Sequence, residues 1–456
     1  MSSTASSTAS SGTPTNSPPD TGPARPSDRR ALLALGLGNT VEWYDWQAAG
    51  LLAALVGPHF FPATDPLSAT LSALAVFAVG FAARPFGGVL LGTVADRVGR
   101  RAVMLLSVAI MAVSTLVIAV LPTYAEIGAW AGVALVASRL AQGISTGVEA
   151  PLSSAYAAEL APPGHEARWG GGVIGMFVNL GLLGASLVSF AASGLLGNAA
   201  MSEWGWRLPF VFGALLGLVT LYLRRSLPES LHVADPAGEV PAGEAGEVPA
   251  QSAQSVGEVW RTVRRHWVGV LAVVFVVGAA QAFNYAWNVG LPSLARGGFA
   301  ENATSVFGLT TLLGLVMMLG SPLVGRWADR YRLSRVFLVG RVLAIPAVFL
   351  MLAYTGPGLG TLAVVLLAGG VVLILNMTLY NVVSVSLMPQ SCRAAGCGIG
   401  YGIGVALFGG TASYLLVWLQ RAHLGWLFPC YVAVLCVLSI ALYLLARRRG
   451  EVYVGE

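Results

Sequence analysis

The sequence predicts an all-α integral membrane protein with twelve transmembrane helices in two pseudosymmetric six-helix bundles. Three observations predict it. The first is composition: 56% of the 456 residues are apolar and only 10% are charged, against roughly 25% charged in an ordinary soluble domain. A membrane helix needs roughly 20 apolar residues, so the apolar content matches about twelve spans. That balance excludes a soluble enzyme of this size, a disordered chain and a coiled coil. The second is that the apolar residues fall into twelve runs. The third is that the two halves of the chain repeat each other. The 56 glycines agree, because glycine is costly in soluble helices but common where membrane helices pack closely.

Residues 1–30 are rich in Ser, Thr, Pro and Gly and read as a disordered tail. With no internal apolar run, the tail does not read as a signal peptide. Spans follow at about 31–56, 68–94, 102–121, 128–160, 169–195, 207–223, 267–291, 303–325, 336–354, 360–387, 395–418 and 425–446. The first bundle is expected over 31–225 and the second over 266–446, with a C-terminal tail at 447–456. Between the bundles, 226–265 is polar and reads as a flexible linker. It carries Gly238-Glu239-Val240-Pro241 and a near repeat, Gly246-Glu247-Val248-Pro249.

All the basic residues are arginines, which makes their positions informative. With the N-terminus inside, the inner segments hold twenty of the 26, and only Arg207, Arg296 and Arg421 lie outside. Arg84, Arg139 and Arg341 remain within spans. The asymmetry places both termini in the cytoplasm, and an odd number of spans would spoil it. The duplication shows in the loops: Gly92-Thr93-Val94-Ala95-Asp96-Arg97 follows span two, and Gly325-Arg326-Trp327-Ala328-Asp329-Arg330 follows span eight. Repeated helix bundles of this kind hold their binding site between the halves, near the midplane. Cys392, Cys397, Cys430 and Cys436 have no metal-ligand spacing and read as small buried apolar residues. No catalytic constellation occurs, so an enzyme is not expected, and nothing calls for a metal or other cofactor.

Charges inside the spans carry the chemistry. Asn39, Glu42 and Asp45 are spaced by three and share one face of span one. Glu42 lies roughly 18 Å past Arg30, and Arg84 lies at a similar depth before Asp96. Arg139 is also deep in span four, with Gln142 one turn further on. An ionisable group at such depth costs at least roughly 2.5–3.5 kcal/mol unless it faces a partner or a wet cavity. Asp45 and Glu42 are therefore candidate proton carriers, with Asp45 slightly ahead because it lies one turn deeper, and Arg84, Arg139, Asn39 and Gln142 are candidate substrate-binding residues. A static set of ion pairs is the structural alternative. The second half offers Gln281, Asn284 and Asn288 on one face of span seven, and Asn376 and Tyr380 on one face of span ten. These uncharged groups suit either binding or contacts between helices. Asp96, Arg97, Arg100, Arg101, Glu149, Asp329 and Arg330 are expected to form a cytoplasmic gate. Arg341, about one turn into span nine, is expected to snorkel to the inner surface.

The loop Gly92–Arg101 reads G-x-x-A-D-R-x-G-R-R and resembles the signature loop of the major facilitator superfamily. Four other stretches resemble its metabolite:proton symporter family: Gly38-Asn39-Thr40-Val41-Glu42-Trp43-Tyr44-Asp45-Trp46, Ala83-Arg84-Pro85-Phe86-Gly87-Gly88, Arg139-Leu140-Ala141-Gln142-Gly143 and Ser226-Leu227-Pro228-Glu229-Ser230. That family includes permeases for α-ketoglutarate, citrate, shikimate, and proline or glycine betaine. The resemblance implies the major facilitator fold in a bacterial inner membrane. It also implies uptake of a small organic acid or zwitterion together with a proton. Its partners would be that substrate, the proton and the bilayer, with no nucleic acid, and it would work as a monomer. Asn179 in span five stands where a glutamine is more typical of the family. An efflux antiporter on the same fold and a non-transporting sensor are the rival readings. Paired arginines with few aromatic residues at their level are expected to favour a polar anion over an apolar drug.

Overall fold

The computed structural model describes residues 26–63, 65–88, 90–91, 100–147, 161, 164–225, 256–389 and 392–453. Among them there is no strand. The first half comprises α1 (Pro26–Leu51), α2 (Pro66–Gly88), α3 (Arg100–Val120), α4 (Trp130–Thr146), α5 (Ala167–Gly205) and α6 (Arg207–Arg225). The second comprises α7 (Trp267–Gly297), α8 (Ala303–Tyr331), α9 (Leu333–Ala353), α10 (Leu359–Ser386), α11 (Ala395–Arg421) and α12 (Leu427–Arg448). Eight of these are long and apolar enough to cross a membrane by length and composition alone, and α3 and α6 contain shorter apolar stretches. The other two are α1, which carries Glu42 and Asp45 in mid-helix, and α4, whose described part is 17 residues long.

Local chemistry sets the helix ends. Asp65 caps α2 by accepting the Ser68 N–H at 2.9 Å, with Pro66 in the first turn, where its missing N–H costs nothing. Asn302 caps α8 in the same way through Ser305. Pro322 and Pro346 sit inside α8 and α9, which neighbouring helices make tolerable in a membrane bundle. Helices α5, α7 and α11 each contain a wide π-helical turn, at Ala167–Val173, Ala286–Gly290 and Val405–Gly409 respectively. Such turns bend a helix and re-aim the side chains around it.

The halves meet where α5 runs along α8 and α2 along α11, with α1 against the π turn of α7. Gly143 lets α4 approach α2 so closely that a methyl group there would run into the Gly80 carbonyl oxygen. That approach holds the Arg84 and Arg139 helices together. Two expectations need correcting. The end of the connector, Val256–Arg265, is a helix rather than flexible chain. Val256, Val259 and Val263 recur at helical spacing there, and Val263 is buried. Residues 226–255 lie outside the described part. Arg341 does not snorkel: it is only 1% exposed, because α9 begins at Leu333 and turns the residue into the bundle. There its guanidinium donates to the Val276 carbonyl of α7, lies beside Cys436 of α12 and sits 5.3 Å from the Phe337 ring.

Candidate functional site

Asn39, Glu42 and Asp45 are all buried, and the two carboxylates diverge to different helices. Glu42 Oε1 lies 3.4 Å from Arg84 Nη2 on α2. Asp45 Oδ2 lies 3.5 Å from Arg139 Nη1 on α4. The second pair belongs to a closed network. The Thr115 hydroxyl donates to Asp45 Oδ1 at 2.6 Å, Arg139 Nη1 donates to Gln142 Oε1 at 2.6 Å, and Gln142 Nε2 donates to the Thr115 hydroxyl at 2.8 Å. Arg139 also stacks over Phe210 of α6 at 5.7 Å. Each of these partners lies in the first half. Removing two charges from water costs several kcal/mol per ion, and a network of this kind offsets that cost.

The Glu42–Arg84 pair faces the second half. Arg84 lies over the rings of Trp46 and Phe81 at 4.4 and 4.6 Å. Tyr285 of α7 stacks on Trp43 at 6.2 Å and meets Phe77 and Phe81 edge-on at 5.6 and 4.9 Å. The expectation of few aromatic residues at this level is therefore overturned. They were easily missed, because each aromatic residue alone reads as ordinary helix surface. Gln281 donates to the Tyr380 hydroxyl at 3.0 Å, and Asn288 donates to Asn284 at 2.9 Å. Gln47 of α1 reaches across to the Asn288 carbonyl at 2.9 Å. Asn376 instead donates to the Gly340 carbonyl of α9 at 3.2 Å, away from the first half. A narrow gap of about 10 Å³ lies between α5 and α10, walled by Asn179, Thr378, Tyr380 and Asn381 among others. Asn179 also donates to Ser321 of α8 at 2.9 Å. Thr115, Gln47, Asn381 and Tyr401 were not singled out from the sequence. A threonine or tyrosine in a span carries no solvation cost large enough to flag it, as a charge does.

Contacts join the halves at both ends of the helices. At the arginine-rich end, the Asp329 carboxylate accepts the backbone N–H groups of Ala167, at 3.0 Å, and Arg168, at 3.2 Å. An anion at a helix N-terminus is favoured by the exposed N–H groups and the helix dipole. The neighbouring Arg330 guanidinium lies over the Tyr331 ring. Asp96, Arg97 and Glu149 lie outside the described residues, and Arg100 and Arg101 are described only as the start of α3.

At the opposite end, Arg421 donates to Asp65 at 3.0 Å and to the Ser68 hydroxyl at 2.6 Å. The Ser68 hydroxyl and N–H, with a smaller contribution from Arg421, hold the Asp65 carboxyl below its ordinary value. A depressed carboxylate keeps its contribution above the ordinary range and loses it only as pH falls through the lowered value. This latch should thus be insensitive to mild acid. We expect Asp65→Asn to open this end, read as faster thiol labelling of a Val289→Cys reporter. The ratio of the variant's rate to the wild-type rate at the same pH, in which the reporter thiol's own titration cancels, should be constant between pH 8 and about 5. Equal labelling with and without the Asp65 carboxylate would show that the pair does not hold this end shut.

The sequence matches the Major Facilitator Superfamily over residues 35–410. The chain belongs to the Major Facilitator Superfamily. Among its curated relatives is the alpha-ketoglutarate permease of Escherichia coli (strain K12), 31% identical, with 92% of this chain and 94% of the relative covered. The ectoine/proline transporter ProP of Corynebacterium glutamicum is 32% identical over 86% of this chain and 78% of the relative. The citrate-proton symporter of Klebsiella pneumoniae is 29% identical over 83% of each. A crystal structure of a D-xylose-proton symporter superposes with a TM-score of 0.66 at 18% identity, covering 91% of this chain and 96% of that one. This superfamily member is a multi-pass membrane protein and a secondary transporter of small organic substrates, not an enzyme.

Proposed function

We propose that the protein takes up a small organic acid in symport with a proton, by alternating access, across a bacterial inner membrane. Both termini would be cytoplasmic, by the distribution of arginines. One observation carries the reading: a buried carboxylate–guanidinium pair, Glu42–Arg84, lies where the two halves meet. An anionic substrate that engages Arg84 competes with Glu42 for it. Deprived of its counter-charge in a desolvated site, Glu42 takes up a proton, and release of the substrate reverses the exchange. The two fluxes are then coupled without a separate relay. Asp45 lies one turn further along α1, but its partners are all in the first half, so we place the proton on Glu42. Asp45 and Arg139 then hold the first half together.

The test is accumulation by purified protein in proteoliposomes with an acid-outside gradient, using radiolabelled α-ketoglutarate, citrate and proline. Accumulation that collapses with a protonophore supports symport. Expulsion under the same gradient would make the protein an antiporter, and equilibration without accumulation would remove proton coupling.

A further inference from the structure

Beside its ion-pair partner Glu42, Arg84 is surrounded by buried groups that can donate, the Trp46 indole and the Tyr285 and Tyr401 hydroxyls among them. Arg84 is 2% exposed, and its Nε and Nη1 make no hydrogen bond. The Tyr285 hydroxyl, on a residue 2% exposed, makes none either, while the Tyr401 hydroxyl, on a residue 5% exposed, meets only Arg84 and Tyr380. Both tyrosines lie within electrostatic reach of Arg84, and the Tyr401 hydroxyl also lies beside that of Tyr380. Tyr380 accepts from Gln281, which leaves its own proton to donate. Buried donors without acceptors are costly, so a cluster of them marks a place where an acceptor belongs. The described acidic residues of the second half, Glu301, Asp329 and Glu451, sit at helix ends or beyond. Among the described residues the second half therefore adds no carboxylate to Glu42 that could receive a substrate ammonium group.

We infer that Arg84, Tyr285 and Tyr401 form a receptor for one substrate carboxylate, and that the substrate class is an organic carboxylate without a fixed positive charge. The inference rests on the symport reading and names the substrate class of that site. A carboxylate offers two oxygens to a planar guanidinium, and each oxygen keeps a lone pair for a phenol. Arg84 stays stacked on Trp46 and Phe81, so its fork is already oriented when the anion arrives. Past Tyr380 lie Asn179, Thr378 and Asn381, whose gap is too narrow for the rest of the substrate, so α5 and α10 must part to admit it. Because Arg84 comes from one half and the tyrosines from the other, the bound carboxylate ties the halves together. The tyrosines are then specificity residues, and occupancy favours the occluded state.

The test is equilibrium binding of α-ketoglutarate, citrate, their methyl esters and glycine betaine to the purified full-length protein. It is run beside the accumulation assay, for wild type, Tyr285→Phe and Tyr401→Phe. We expect wild type to bind a free acid at least tenfold more tightly than its ester. Each phenylalanine variant should weaken acid binding about tenfold while leaving ester binding unchanged. The ester comparison needs no variant, so a misfolded variant does not blunt the test. Equal binding of acid and ester, or acid binding untouched in both variants, overturns the receptor while leaving proton-driven transport standing. Binding of glycine betaine in preference to the acids overturns the substrate class and assigns the aromatic walls to a quaternary ammonium. Failure of any gradient-driven accumulation removes the symport reading itself.

Discussion

Glu42→Gln abolishes uphill accumulation and leaves exchange of substrate across the membrane intact. With one proton moved per anion, each pH unit across the membrane is worth about 1.36 kcal/mol, and so supports up to tenfold accumulation. The variant cannot give up a proton, so its accumulation ratio should fall to about one at any gradient. Counterflow, in which internal unlabelled substrate drives entry of labelled substrate, needs only binding and reorientation, and it should persist. Glutamine keeps the shape of Glu42 but leaves Arg84 without its counter-charge, so substrate should also bind more tightly than in wild type. Full proton-driven accumulation by Glu42→Gln would move the proton to Asp45 or end this mechanism. Asp45→Asn in the same assay separates those two outcomes.

Arg139→Leu is expected to cause the largest loss of stability. It strands Asp45, which is 2% exposed, with only the uncharged Thr115 and Gln142 side chains beside it. Breaking a buried pair by removing one partner costs about 3–5 kcal/mol. The midpoint of thermal unfolding in detergent should therefore fall by several degrees. Asp45→Asn with Arg139→Leu removes both charges together, and it should recover most of the loss. Additive effects of the two changes would show that the pair is not coupled, and wild-type stability in the single variant would show that the site is hydrated. The outcome separates the two arginines: changes at Arg84 should act on substrate affinity, and changes at Arg139 on folding.

The spans were legible because a run of about 20 apolar residues has few other uses. The run expected at 207–223 is the helix Arg207–Arg225, and that expected at 360–387 is Leu359–Ser386. The charged members of the site were legible for the complementary reason, since a buried charge is too costly to occur without purpose. Which carboxylate meets which arginine was not legible. Glu42 and Asp45 are three residues apart on one face, yet a rotation of about 60° between them is enough to send one to α2 and the other to α4. Tyr285 and Tyr401 were hidden differently. Their rings belong to the apolar pattern, and only the packing shows that their hydroxyls converge on Arg84. Arg341 was misjudged through one boundary: starting α9 at 336 rather than Leu333 placed it too near the surface.

The Asp65–Arg421 latch has a consequence outside the proton chemistry. Both side chains are more than a third exposed, so their attraction acts through water and counter-ions rather than through protein. At physiological ionic strength the screening length is about 8 Å, and at 1 M salt it shrinks to about 3 Å. The Asp329 contact at the other end is with backbone N–H groups and is partly buried, so dissolved ions weaken it far less. Rising salt therefore loosens one end of the transporter and spares the other. The balance between the two openings becomes a function of the surrounding electrolyte, through an ion pair that touches neither substrate nor proton.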